Sequence, residues 1–174
     1  VDIDAATEHG VLVVNTPARN AAGVAELTIG LMLSLARRIP AAHRLVRSGG
    51  WTDPVGPYLT LRGVELAGKT AGIVGLGAIG CEVARRLRAF DMTVLAYDPF
   101  AGAARMAQAG AVQIDLTNLM RRADFITLHC PLTPETSGLI GAKEIGLMKS
   151  SAFLLNTASW EIVDENALTA ALEQ

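Results

Sequence analysis

The run Gly75-Leu76-Gly77-Ala78-Ile79-Gly80 constrains this chain more than any other feature. It directly follows an apolar stretch at residues 70–74 and directly opens a helix-like one at Ala78. Alone, a GxGxxG string says little, but between a strand and a helix each glycine has a physical task. Gly75 permits the tight turn, Gly77 lets a pyrophosphate approach the backbone, and Gly80 lets the helix lie close to the strand. The helix start then offers unpaired N–H groups and the positive end of its dipole to phosphates.

The surroundings of this motif read as repeated strand–helix units. Strands are expected at residues 70–74, 92–97, 111–113, 125–128 and 152–155, each too apolar to leave one face in water. Helices are expected between and after them, at 78–90, 101–109, 116–121, 141–148 and 164–172. The pattern predicts an α/β protein with a doubly wound parallel sheet, Rossmann-like, in three α/β/α layers. The first 65 residues read differently: a short helix near 4–8, a strand at 11–14, and a helical region from about 20 to 46 that Pro40 interrupts. Within it the stretch from Val24 to Ala36 is apolar nearly all round, which predicts burial by a second subunit and hence a homodimer. Residues 48–68, with Gly49, Gly50, Trp51, Pro54, Gly56 and Pro57, read as a long surface loop. Two regions are therefore expected, 1–65 as a linking segment with an interface helix and 66–174 as a dinucleotide-binding domain.

Asp98 closes the second strand of that domain, 18 residues after Gly80. A carboxylate there accepts both adenosine ribose hydroxyls and repels a 2′-phosphate, which selects NAD over NADP. Asp98-Pro99 is also an ordinary turn opener, but the spacing favours the cofactor role. Composition closes off other partners. A net charge of −2 supplies no positive field for nucleic acid or an anionic membrane, and the 13 residues from Val24 to Ala36 fall short of the roughly 18–20 that span a bilayer. Cys81 and Cys130 are too few for a disulfide framework or a zinc cluster, so no metal site and a reduced, cytoplasmic setting are expected. The chain opens at Val1 without a secretory signal and reads as a piece of something longer. Arg85, Arg86 and Arg88 read as a solvated helix face, Cys81 as a small packed residue, and His129 as a strand-end histidine packed beside the cofactor loop.

Several segments occur together in one order: Gly75 to Gly80, Tyr97-Asp98-Pro99, His129-Cys130-Pro131-Leu132-Thr133-Pro134-Glu135-Thr136, and Asn156-Thr157-Ala158 followed by Ile162-Val163-Asp164-Glu165. Asn15-Thr16-Pro17, Val24-Ala25-Glu26-Leu27-Thr28 and Ala36-Arg37-Arg38-Ile39-Pro40 extend the pattern over essentially the whole chain. In these motifs the chain resembles the D-isomer-specific 2-hydroxyacid dehydrogenases, close to their phosphoglycerate dehydrogenase branch. The resemblance implies a nucleotide-binding domain inserted in a substrate-binding domain that is absent here, with catalysis in the cleft between the two. It implies that Ala78 and Ile79 contact the pyrophosphate, Asp98 the ribose, Cys130 and Pro131 the adenine and ribose side, and Thr157 and Ala158 the nicotinamide, with Thr136 on the same loop as Pro131. The helix around residues 26–38 corresponds to the family's subunit interface.

One departure stands out against that resemblance. The family carries an arginine after the Asn-x-Ala/Ser motif, a planar fork that binds a 2-oxo acid and supports charge on its oxygen. Ser159 stands there, followed by Trp160 where a glycine is usual. The family's acid and histidine, which move the proton, lie beyond Gln174, and His9, His43 and His129 do not replace them. No catalytic residue is assigned within these 174 residues, and the chain alone is expected to be inactive. The expected function is the NAD-binding domain of an enzyme that moves a hydride between NAD and a D-2-hydroxy acid or 2-oxo acid. The alternative is a catalytically degenerate, NAD(H)-sensing dimerisation module, suggested by Ser159-Trp160. A generic Rossmann sugar or amino-acid dehydrogenase is disfavoured by the segments at 129–136 and 156–165.

Overall fold

The computed structural model describes residues 1–53 and 55–173, so the turn signal at Pro54 lies outside the described residues. The glycine motif does join a strand to a helix: β1 (Thr70–Val74) runs into α5 (Ala78–Arg88). From there strands and helices alternate as β2 (Thr93–Tyr97), α6 (Ala103–Ala109), β3 (Val112–Gln113), α7 (Leu116–Arg122), β4 (Phe125–Leu128), α8 (Ala142–Leu147), β5 (Phe153–Asn156) and α9 (Glu165–Leu172). Among the described residues the sheet has five strands, all parallel, in the order β3-β2-β1-β4-β5. The order reverses between β1 and β4, and that reversal opens a crevice at the strands' carboxyl ends, where ligands of open α/β sheets bind.

Burial is greatest where helices cover both faces. Ile73, Leu95, Phe125, Ile126 and Leu128 are sealed in the sheet, while Val83, Leu87 and Met32 cover one side and Leu119, Met120 and Ile140 the other. Phe125 and Phe153, paired across β4 and β5, stack with ring centroids 4.9 Å apart. The expectation that both faces of every strand are covered fails at the two edges. β3 is exposed, and β5 is fully buried only at Leu155. The strand ends at β2, β3 and β5 also shift by one residue from the sequence reading.

The amino-terminal region departs further from expectation. Residues 11–14 form no strand. Their side chains, with Leu12 at 86% exposure, have no neighbouring strand to pair with among the described residues, and an apolar run alone does not hold a strand together. The long helical region is two helices, α2 (Ala21–Ala36) and α3 (Ile39–Arg47), and the break is made by Arg38 in the left-handed conformation at φ 54°. The region is thus interrupted beside Pro40 as expected, and Pro40 itself sits in the first turn of α3, where its missing N–H costs nothing. The segment at 48–68 includes one short helix, α4 (Gly56–Thr60), started by the Asp53 carboxylate, which accepts the Val55 and Gly56 amides at 2.7 and 3.0 Å. α1 (Ile3–Glu8) is capped by Asp2, its carboxylate accepting the Ala5 amide.

α2 lies across α5 and supplies Ala25, Ile29, Met32 and Ala36 to the core. Its opposite face is left open, with Leu27, Leu31 and Leu35 exposed. No described helix is long and apolar enough to cross a membrane.

Candidate dinucleotide site

Gly75 takes φ 92°, a left-handed conformation that an L side chain rarely adopts, and a Cβ there would stand 2.6 Å from the Cys130 amide nitrogen. Gly80 is bound by contact: its Cβ would run into the Gly75 carbonyl oxygen, so only glycine lets α5 approach the turn this closely. Gly77 is different, with nothing within 4 Å of the same added atom. It faces open space at the mouth of the crevice, and it is the N-cap of α5 without a side-chain acceptor for the helix's first amides. Those amides carry the positive end of an 11-residue helix into the crevice.

Asp98 ends β2 beside this turn. One oxygen accepts the Leu76 amide at 2.7 Å, and the other accepts those of Phe100 at 2.8 Å and Ala101 at 3.1 Å. The carboxylate therefore joins the two loops that frame the crevice. Across from it, the loop after β4 is pinned by Thr136, whose hydroxyl donates to the Pro131 carbonyl at 2.7 Å and accepts the Thr133 amide at 2.7 Å. Cys130 sits under that loop half-buried, and burial pushes its thiol above the usual range.

These elements enclose a cleft of about 430 Å³ with mainly apolar walls. Of the residues named from the sequence, Gly75, Gly77, Asp98, Cys130, Pro131 and Thr136 line it together. Gly80 lies behind it, buried against β1. Ala78 is exposed at the start of α5 and Ile79 turns partly into the core, so neither side chain forms the wall. Thr157 and Ala158 are at the end of β5, outside this cleft, but Thr157 Oγ1 lies 3.5 Å from Nδ1 of His129, which does line it. Tyr97, Phe100 and Leu139, to which the sequence assigned no cofactor role, also form the wall. For Phe100 a signal was available: a large apolar residue directly after Asp98-Pro99, 95% exposed at the rim.

His129 is half-buried at the edge of the site, and its partial removal from water lowers its pKa to about 4, so the ring is neutral at physiological pH. Ser159 donates to the Glu161 carboxylate at 2.7 Å, and its carbonyl accepts from the Asn156 side chain at 2.9 Å. Trp160 opens a short 3₁₀ turn, Trp160–Ile162, and lies in a separate groove with Leu154, Val163 and Leu168. The indole thus does not fill the 430 Å³ cleft. Arg85 and Arg86 both pair with Glu82, and Arg86 lies 3.5 Å from Glu26, so the arginine run knits α5 to itself and to α2 on the surface. Cys81 packs against the core with its thiol toward the Leu76 carbonyl.

A glycine turn at the reversal point of a parallel sheet, an open helix start and an acid closing the second strand define a dinucleotide-binding domain of the Rossmann class. The sequence pattern of the family described as D-isomer specific 2-hydroxyacid dehydrogenase, NAD binding domain, matches residues 29–174, and the chain belongs to that family. The chain is 44% identical to D-3-phosphoglycerate dehydrogenase of Methanocaldococcus jannaschii over all of its own length and 46% identical to that of Archaeoglobus fulgidus over 99% of it. It spans 32% of the length of each of these relatives. Among solved structures it matches the apo form of D-lactate dehydrogenase from Escherichia coli with a TM-score of 0.87 and 39% identity, covering 99% of this chain and 53% of that one. D-lactate dehydrogenase from Aquifex aeolicus, complexed with NAD and lactic acid, matches with a TM-score of 0.86 and 34% identity, covering 99% and 50%.

Proposed function

We propose that this NAD-binding domain serves a dehydrogenase that moves a hydride between the nicotinamide ring and a D-2-hydroxy acid or its 2-oxo acid. The observation that carries the reading is the cleft itself, in which open Gly77, the uncapped start of α5 and the Asp98 carboxylate converge at the end of β1. The pyrophosphate would lie over Gly77, Ala78 and Ile79, held by main-chain amides. Adenosine would occupy the space between Asp98 and the loop at Cys130, Pro131 and Thr136. The cleft lining includes Asp98 and Glu135 but neither lysine nor arginine, which disfavours a 2′-phosphate. Nicotinamide would extend toward Thr157 and Ala158.

NAD supplies the hydride chemistry when bound, and these residues orient it. They do not move the proton: Ser159 stands where a guanidinium fork would meet a 2-oxo acid, His9 and His43 are exposed, and His129 is half-buried and neutral. The reading therefore has the 174 residues binding cofactor without turnover. Residues 1–65 act as connector and interface, and residues 66–174 as the cofactor-binding unit. The open leucine face of α2, Leu27, Leu31 and Leu35, supports a homodimer built on that helix. Both cysteines are free, which suits a reducing cytoplasmic compartment. Calorimetric titration with NADH and NADPH tests the core of the reading. NADH-preferring binding upholds it, and binding of neither removes it.

A further inference from the structure

Behind the cleft, four side chains form a continuous polar line from α2 into the sheet. The Thr28 hydroxyl donates to the Val24 carbonyl at 2.9 Å. Its single proton being engaged there, its oxygen accepts from the Thr157 hydroxyl at 3.1 Å. Thr157 then has no proton left for His129, so at 3.5 Å its oxygen accepts from Nδ1–H of that ring. The neutral imidazole has one proton, so Nε2 accepts from the Thr127 hydroxyl at 3.0 Å. Thr28 and Thr127 are both 0% exposed, surrounded by an otherwise apolar core. Apolar residues of the same shape would fill that space, and a buried polar line is stable only when every member is satisfied.

We propose that Thr28 and His129 are positioning residues: this one-directional line holds the turn at Thr157 and Ala158 against the cleft, so that α2 sets affinity for the nicotinamide half of the dinucleotide without touching it. The inference rests on the cofactor placement proposed above. The far side of the same turn is held independently, the Asn156 side chain accepting the Ala158 amide at 2.9 Å. Freedom at this turn therefore depends on the Thr157 hydroxyl and its two neighbours.

The line has a direction, and the direction fixes the tautomer. Long-range proton–nitrogen correlation spectra of the ¹⁵N-labelled chain are expected to show His129 protonated at Nδ1. In Thr28→Val, which keeps the shape and removes the hydroxyl, the Thr157 proton loses its acceptor on α2, and the Nδ1–H signal of His129 is expected to shift as Thr157 turns away. The same variant is expected to bind NADH about fivefold more weakly, the worth of about one hydrogen bond. ADP-ribose, which lacks nicotinamide, is expected to bind unchanged, and Thr28→Ser is expected to restore both readouts. An Nε2-protonated wild type overturns the proposal, and does so even where Thr28→Val fails to fold. So does a variant that weakens both ligands equally or neither. A wild-type chain that binds neither NADH nor ADP-ribose overturns the dinucleotide reading and the positioning role with it, an outcome visible before any variant is made.

Discussion

The Asp98 carboxylate accepts the Leu76 amide at 2.7 Å, tying the end of β2 to the glycine turn that follows β1. Its second oxygen is held by the Phe100 and Ala101 amides, so this acid organises two loops before any ribose reaches it. A group that both builds a turn and faces the crevice cannot be exchanged merely to alter cofactor choice.

Asp98→Ala is accordingly expected to lose NADH binding by at least about tenfold and to gain no NADPH binding. Three amides lose their acceptor, at roughly 1–3 kcal/mol for each one left unsatisfied and less where water reaches it. Parallel calorimetric titrations with both cofactors check this. Tight NADPH binding by the variant would show that Asp98 acts only through its charge.

Two glycines of one motif are expected to respond oppositely. Gly80→Ala drives a methyl into the Gly75 carbonyl and should lower stability by about 1–3 kcal/mol, measured by urea unfolding. Gly77→Ala meets nothing within 4 Å and should unfold within about 0.5 kcal/mol of wild type while weakening NADH binding. Equal stability losses in the two variants would contradict the geometry.

Half-buried His129 gives stability a pH dependence whose sign follows from its lowered pKa, about 4 in the folded chain against an ordinary 6.5. The unfolded chain takes up the proton first as pH falls. The contribution is therefore complete above about pH 6.5, declines as pH falls toward 4, and is level below that. It amounts to roughly 3 kcal/mol at most. Urea unfolding of wild type and His129→Gln between pH 7 and 4 should show a steeper acid decline in wild type. Parallel curves would mean that the ring is not held neutral.

Placing a charge on the open face of α2 should separate subunits without unfolding either. Leu31 is 42% exposed, so Leu31→Glu is expected to leave the circular dichroism spectrum and melting temperature near those of wild type. Light scattering should report a dimer for wild type and a monomer for the variant. A wild-type monomer at micromolar concentration removes the proposed interface.

Much of the fold was legible because parallel strands buried on both faces are continuously apolar, and helices at a period of 3.6 separate them. The Gly75 to Gly80 turn was legible for a related reason: its glycines are demanded by main-chain contacts a few residues apart. Residues 11–14 form no strand because a β-branched apolar run cannot by itself supply a neighbouring strand. The break near Pro40 was legible, but that Arg38 makes it at φ 54°, leaving the proline in the next helix's first turn, was not. Trp160 was placed in its own groove by packing that no spacing encodes.

The amino-acid order by itself determined the doubly wound sheet, the dinucleotide turn and the acid that closes β2, since each follows from apolar runs, glycines and a carboxylate at short local spacings. Tertiary structure alone decided that Asp98 is bound to the glycine turn and that Thr28 meets Thr157 across 129 positions. Hydrogen bonds between distant residues arise only once the helices have been laid on the sheet, because the burial that brings the partners together is a property of the whole core.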